Sequence, residues 1–226
     1  YTLPGSPGSQ CISTDGNHLY VSVRTANSVA AYRIDHAKKT LRPLGLTDIG
    51  ANAAYISVDR TGRTLLWASY SDGVVGSHAI AKNGTIQKGA LSQIETARCA
   101  HAILPDASNK FAFVPHTGPN AVYQFRFDAK TGKLVKTFGN NGVVDLTQGF
   151  DRPVDTLHFE TRSPPVIYEN LVMVGSHIPD WLMFEGDPPG DVRAFDVHTG
   201  ELVWSFSTVP RPGEPGSETW GDGSAK

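Results

Sequence analysis

Few residues in this 226-residue sequence pair a reactive side chain with a setting that could use it. His101 stands in the run Cys99-Ala100-His101-Ala102-Ile103. An imidazole has a reference pKa of about 6.5, so near neutral pH it can take a proton from water or from a substrate. A hydrogen-bonded core histidine is the equally open reading. Arg98 and Arg24 offer planar cations that would hold an anionic substrate, with an ion pair between neighbouring units as the other role for Arg24. His116, closely followed by Gly118 and Pro119, reads as a surface-turn residue ahead of a catalytic one. Cys11 and Cys99 lie 88 residues apart, outside any C-x-x-C or Cys/His ligand spacing. They read as two buried free thiols in preference to a disulfide. G-x-S-x-G, H-E-x-x-H, a Gly-rich phosphate loop and C-x-x-C are all absent. Nucleophile-elbow hydrolases, zincins, P-loop enzymes and zinc ribbons therefore have no support.

The elements that must position these residues are strands. Gly 23 and Pro 15 fall in short clusters between β-rich runs, and no window sustains a 3.6-residue apolar period. Four segments align after a polar turn: His18 to Val23, Thr64 to Ser69, Lys110 to Pro115 and Asn170 to Gly175. Their leading apolar residues Leu19, Leu65, Phe111 and Leu171 are spaced by 46, 46 and 60 residues. Each segment follows another strand that ends in Asp, Asn or Gly, residues suited to tight reversal. Those first strands begin at Ile12, Tyr55, Ile103 and Val166, which places His101 at an innermost strand. A third strand follows at Val29 to Ile34, Val74 to Ile80, Ala121 to Phe127 and Val192 to Phe195, then a polar turn and an outer strand. Four strands per repeat of about 45 residues is the size of a propeller blade. The fold is therefore expected to be all-β, a β-propeller of four-stranded antiparallel blades in one domain over 1–226. A sandwich is the alternative, to which equal long periods are foreign. Four complete blades are recognisable, and a fifth is possible if the termini combine. The extra 14 residues of the last interval, around Gly139 to Thr156, are either an excursion or a remnant of one more blade. Leu171→Asp is expected to unfold its blade by burying a charge.

Twenty Lys+Arg against 22 Asp+Glu, without like-charge blocks, leave no footprint for nucleic acid or an anionic membrane. No apolar stretch reaches the roughly 20 residues that span a bilayer. A soluble protein is expected, cytoplasmic or periplasmic, with a leader either absent or removed.

From about residue 9 to 134 the sequence resembles the lactonase propellers, the family of 6-phosphogluconolactonase and carboxymuconate cyclase. Leu19-Tyr20-Val21-Ser22-Val23-Arg24, Val29-Ala30-Ala31-Tyr32-Arg33-Ile34 and the run from Cys99 through His116 carry that likeness. From about 128 onward it resembles the quinoprotein dehydrogenases that bind pyrroloquinoline quinone (PQQ). Phe138-Gly139-Asn140-Asn141-Gly142, Ser163-Pro164-Pro165-Val166 and Gly190 through Trp204 carry the second. Ala194, Asp196, Thr199, Gly200 and Trp204 fit that family's tryptophan-docking pattern, which makes Trp204 a core residue. The turn Asp128 to Leu134 suits both families and is the natural seam of a chimera.

The first resemblance implies His101 on the central channel, with Arg98 and Arg24 near a sugar-acid lactone, although the family's partnering Arg and Glu are expected on blades replaced here. The second implies a loop from Gly175 to Trp181 that contacts PQQ, with His177 as a cofactor residue and Asp180 giving a carboxylate to Ca²⁺. Calcium wants six to eight oxygens. Glu185, Asp187 and Asp191 add few, and the tryptophan floor and catalytic aspartate would come from blades not present. Three readings follow: a lactone hydrolase, a PQQ/Ca-dependent dehydrogenase, and a non-catalytic binding or recombined scaffold. An open blade edge would also allow self-association.

Overall fold

The computed structural model describes residues 2–136, 142–150, 152–161, 163–178 and 187–219. Strands form four antiparallel sheets that follow one another along the chain. Blade one holds β1 (Pro7–Ile12), β2 (His18–Val23), β3 (Ser28–Asp35) and β4 (Thr40–Asp48), and blade two holds β5 (Ala53–Val58), β6 (Thr64–Ser69), β7 (Val74–Ala79) and β8 (Ser92–Glu95). Blade three holds β9 (Leu104–Pro105), β10 (Phe111–His116), β11 (Ala121–Asp128), β12 (Lys133–Val135) and β13 (Val143–Asp145). Blade four holds β14 (Val166–Tyr168), β15 (Leu171–Gly175), β16 (Val192–Asp196) and β17 (Leu202–Phe206). The expected four-stranded blades are present in the expected order. β13 pairs with β11 beyond the end of β12, so this part of the extra interval extends the outer edge of blade three and starts no new blade.

Asx-type turns close the hairpins. Between β5 and β6, Asp59 Oδ1 accepts the backbone N–H groups of Arg63 and Thr64, both at 2.8 Å. Between β9 and β10, Asp106 Oδ1 accepts those of Lys110 and Phe111, both at 2.9 Å. The sequence Asp-x-x-Thr-Gly turns both β11 into β12 and β16 into β17. Gly132 N donates to Asp128 O at 2.7 Å and Gly200 N to Asp196 O at 2.9 Å. Both glycines are left-handed, with φ of 69° and 75°, where a Cβ would be strained. The chain thus passes Thr131-Gly132 as one continuous hairpin within one sheet.

Alternate residues of each middle strand face opposite neighbours, which lets one blade serve two interfaces. Leu65 and Trp67 pack with Tyr20, Val29 and Ile56 between blades one and two. Leu66 and Ala68 pack with Ile103, Val114 and Phe125 between blades two and three. Phe113, Val122, Leu146, Phe159, Val174 and Phe195 fill the space between blades three and four. Each large side chain so buried contributes about 1.5–3 kcal/mol. Hydrogen bonds pin the register between blades: Tyr20 to Gly84 O at 3.1 Å, Ser57 to Ile103 O at 2.7 Å, and Asn109 Nδ2 to Asp59 Oδ2 at 2.9 Å.

Four side chains depart from expectation. Trp204 is 37% exposed, since no blade covers its face of blade four among the described residues. Leu171 is half-buried on that same open face, so Leu171→Asp does not place its charge in the core; Val172 and Val174 occupy the buried positions of β15. Cys11 and Cys99 are free, as expected, but only half-buried. Burial pushes the Cys11 thiol up to about 12. Among the described residues no helix is long and apolar enough to cross a membrane.

Candidate active site

A cavity of about 700 Å³ is lined by Tyr70, His101, Thr117, Gly118, Asn120, Leu157, Phe159 and Glu160. Tyr70 follows β6 of blade two. His101 precedes β9, and Thr117 to Asn120 form the β10–β11 turn of blade three. Leu157 to Glu160 belong to the segment between blades three and four. The cavity therefore draws on both sides of the Thr131-Gly132 turn.

Backbone bonds set the histidine in place. Cys99 holds a φ of 67°, sparsely populated for a residue with a Cβ, and its N–H donates to Tyr70 O at 2.8 Å. Ala100 then bridges His116, and His101 N donates to Pro115 O at 2.9 Å. His101 is consequently tied to the end of β10 and is not within an innermost strand. The Tyr70 ring meets its imidazole edge-on, with centroids 5.8 Å apart, while the Tyr70 hydroxyl lies 3.0 Å from Thr117 Oγ1. His101 Nδ1 and Asn120 Oδ1 are buried and have no hydrogen-bond partner among the described residues. A polar atom left so costs about 1–3 kcal/mol, a cost that natural structures seldom carry without a use.

The opposite wall is fixed by Arg193, which is buried in blade four. Its guanidinium lies 4.2 Å from the Phe150 ring centroid and donates to Gln148 O at 2.7 Å and to Leu146 O. Phe150 packs edge-on against Phe159 with centroids 5.5 Å apart. His177 N donates to Glu160 O at 2.7 Å, which fixes the backbone that carries the carboxylate.

Of the site candidates singled out in the sequence that lie among the described residues, His101 alone lines this cavity. Arg98 is exposed and donates to Ser71 O at 3.2 Å. Arg24 reaches from blade one to Asn52 Oδ1 at 2.9 Å, a neutral inter-blade bond in place of an ion pair. His116 is fully buried, contrary to the surface-turn reading, because the Ala100 bridge covers it. Its Nδ1 donates to Val114 O at 3.0 Å, which leaves Nε2 to accept from the Thr96 hydroxyl at 2.9 Å. Tyr70, Asn120 and Glu160 were not found from the sequence, since no local motif carries them.

Asp180, Trp181 and Glu185 lie outside the described residues. Asp187 pairs with His158 at 2.8 Å, which raises the imidazole pKa, and Asp191 pairs with Arg211 at 3.2 Å. Among the described residues no three His, Cys, Asp or Glu gather as a metal-ligand set. Residues 179–181 of the expected PQQ loop lie outside the described residues, and no chemistry is derived through a calcium-bound quinone.

Residues 11–150 match the family described as lactonase, 7-bladed beta-propeller, and residues 108–226 match the PQQ glucose/ethanol/alcohol dehydrogenase beta-propeller domain. The chain belongs to both propeller families. The two matches overlap across residues 108–150. On the lactonase side, a 6-phosphogluconolactonase of Erwinia tasmaniensis is 33% identical over 131 residues, 58% of this chain and 39% of that protein. On the dehydrogenase side, the quinate/shikimate dehydrogenase (quinone) of Acinetobacter baylyi is 40% identical over 88 residues, 39% of this chain and 10% of that protein. The chain thus spans well under half the length of these lactonase and dehydrogenase relatives. Among solved structures, the periplasmic gluconolactonase of Pseudomonas aeruginosa superposes with a TM-score of 0.59 at 15% identity, covering 93% of this chain and 75% of its own. A Lactobacillus plantarum protein gives a TM-score of 0.67 at 14% identity, covering 94% and 62%. At such identities these two likenesses concern the propeller fold alone.

Proposed function

We propose that the chain hydrolyses a lactone in the cavity that His101 lines. The placement of His101 in that wall, beside Asn120 and Glu160, carries the reading. In the reaction, the imidazole of His101 takes one proton from a water whose oxygen bonds to the lactone carbonyl carbon. Asn120, whose amide ends exchange by a flip, offers a donor to the oxyanion that forms. The acyl C–O bond of the ring then breaks, and His101 returns its proton to the departing ring oxygen. The product is the open hydroxy acid, which ionises and releases a proton to solvent. Turning toward the cavity, where a ligand supplies a partner, would satisfy the two orphaned polar atoms, since catalytic hydrogen bonds often tighten only in the complex.

The ancestry belongs to the same proposal. A splice at Thr131-Gly132 joins a lactonase-like first part to a quinoprotein-like second part, and the shared Asp-x-x-Thr-Gly turn supports it by letting the sheet continue unbroken. Under this reading Glu160, from beyond the seam, stands where a lactonase blade would have supplied its own partner for His101.

Acid release from glucono-1,5-lactone, followed in a pH-stat, tests the hydrolase. Wild type is expected to exceed the buffer rate, and His101→Ala to lose at least a hundredfold in kcat/KM. Equal rates for wild type, variant and buffer would sink the reading. The 40% identity with a quinone-dependent dehydrogenase favours a second reading, an oxidoreductase that binds PQQ with Ca²⁺ near Asp180. Tryptophan fluorescence quenched by PQQ only when Ca²⁺ is present would support it, and an unchanged signal would remove it.

A further inference from the structure

We infer that the turns of blades one and two bind a phosphate group, free or as a monoester, at the end of the blades away from His101. A cavity of about 230 Å³ opens there. Its wall includes Thr14 and Asp15 from the β1–β2 turn, His18 at the start of β2, Arg63 from the β5–β6 turn and Lys82 from the β7–β8 turn. The His101 cavity is built instead from the β6–β7 and β10–β11 turns and the segments between blades. Antiparallel strands place those two sets of turns at opposite ends of each sheet. The site is therefore independent of the lactone-hydrolase reading.

Two glycines bring the turns of the neighbouring blades together. Gly62 has a φ of 72°, and a Cβ on it would lie 2.7 Å from Thr14 Oγ1. Gly84 has a φ of 87°, and its Cβ would run into the His18 ring at 2.1 Å. The Tyr20 hydroxyl holds that glycine by donating to its carbonyl at 3.1 Å. Against Gly84, His18 Nε2 is buried without a hydrogen-bond partner. Turning the ring over about its Cβ–Cγ bond carries Nε2 off Gly84, where a ligand oxygen can accept from it. Arg63 Nε donates to Thr61 Oγ1 at 3.2 Å and its Nη2 to Ala129 O of the next blade at 3.4 Å, which orients the guanidinium. Lys82 supplies a second cation on a flexible stem. Asp15 is also in the wall, with its oxygens taken up by Ser13 Oγ at 2.5 Å and by Asn17 N and Nδ2, both at 3.0 Å. A phosphate dianion matches this set, since its several oxygens can accept from guanidinium, ammonium and imidazole at once in charge-assisted bonds.

The test titrates the isotope-labelled chain with inorganic phosphate and follows amide shifts by NMR, with chloride at equal ionic strength as the control. Saturable shifts are expected at Thr14, Gly62 and Gly84. Lys82→Gln should weaken the apparent Kd by about fivefold, and Lys82→Gln with Arg63→Gln by about twentyfold or more. Both changes fall on exposed side chains, and unchanged amide positions elsewhere show that the fold persists. His101→Ala should leave the titration as it is in wild type. Glucose 6-phosphate separates the two sources: tighter binding than inorganic phosphate assigns the site to a monoester, and equal or weaker binding assigns it to the free anion. Shifts that chloride reproduces, that fail to saturate, or that the double variant retains in full would overturn the site.

Discussion

Burial gives His116 a role that its neighbours in sequence conceal. Desolvation holds its pKa down to about 4, against 6.5 for an ordinary imidazole, outweighing the backbone bonds that favour the charged ring. Above pH 6.5 the ring is neutral whether the chain is folded or unfolded, and it contributes nothing to pH dependence. As pH falls from there toward 4, the unfolded chain binds a proton that the folded chain refuses, so stability is lost. The loss reaches about 3 kcal/mol near pH 4. Asp59 loses stability in the same direction but at lower pH, below its ordinary value of 3.8: burial raises its pKa, but bonds from Thr61, Asn109 and Thr64 outweigh burial and leave the value lowered. His116→Gln keeps a polar group facing Thr96 but cannot titrate. It should be less stable than wild type by about 1 kcal/mol at pH 7. Urea midpoints at pH 7 and pH 4.5 should show that gap closing or reversing in acid; an identical pH dependence in both proteins would refute the assignment. The sequence pointed the other way because Gly118-Pro119 is a surface signal, whereas the Ala100 bridge that buries His116 comes from a segment with no helix or strand pattern of its own.

At the scale of elements, the hairpins could be read because each is specified locally, by Asp, Asn and Gly at the reversals and apolar alternation on either side. The third strands at 28–35, 74–79, 121–128 and 192–196 fall almost where that pattern places them. The cavity could be read only at His101, because Asn120 and Glu160 are 40 residues apart and meet through the stacking of blades three and four. Arg193 governs that meeting. It caps two carbonyls of the 146–148 segment and backs Phe150, which in turn backs Phe159 beside Glu160. Arg193→Leu fills much of the volume but strands both carbonyls, and should cost about 2–4 kcal/mol in urea unfolding. Weaker affinity for the lactone substrate with little change at His101 should accompany it, seen as a KM effect larger than the kcat effect. A variant as stable as wild type would mean that the segment is held by other contacts.

For the molecule as a whole, the consequence lies on the outer face of blade four. Residues directly opposite across β14 to β17 share that face: Val166 with Met173, Tyr168 with Leu171, Met173 with Ala194, Ala194 with Trp204, and Val192 with Phe206. Val166, Tyr168 and Phe206 are 60%, 62% and 63% exposed, an arrangement found at the three other blade interfaces only when a neighbour covers it. Asp196 shares the register, but its carboxylate turns into the β16–β17 turn, accepting His198 N at 2.7 Å and Thr199 N at 2.8 Å. The pattern that marks Trp204 for docking was legible, while its lack of a described partner was not, since the motif specifies a surface and is silent on what lies across it. An apolar, nearly uncharged sheet face is complementary to itself, and a net charge of -2 sets little repulsion between two copies. These 226 residues expressed alone should therefore pair through blade four. Sedimentation velocity between 5 and 100 µM, concentrations chosen at roughly the range of weak dimers, should show a shift from monomer toward dimer. Tyr168→Lys with Phe206→Lys, two changes on exposed positions that leave the buried face of the sheet intact, should hold the chain monomeric throughout. A wild type that stays monomeric at the highest concentration would overturn the pairing, and a dimer that survives both lysines would move it to another face.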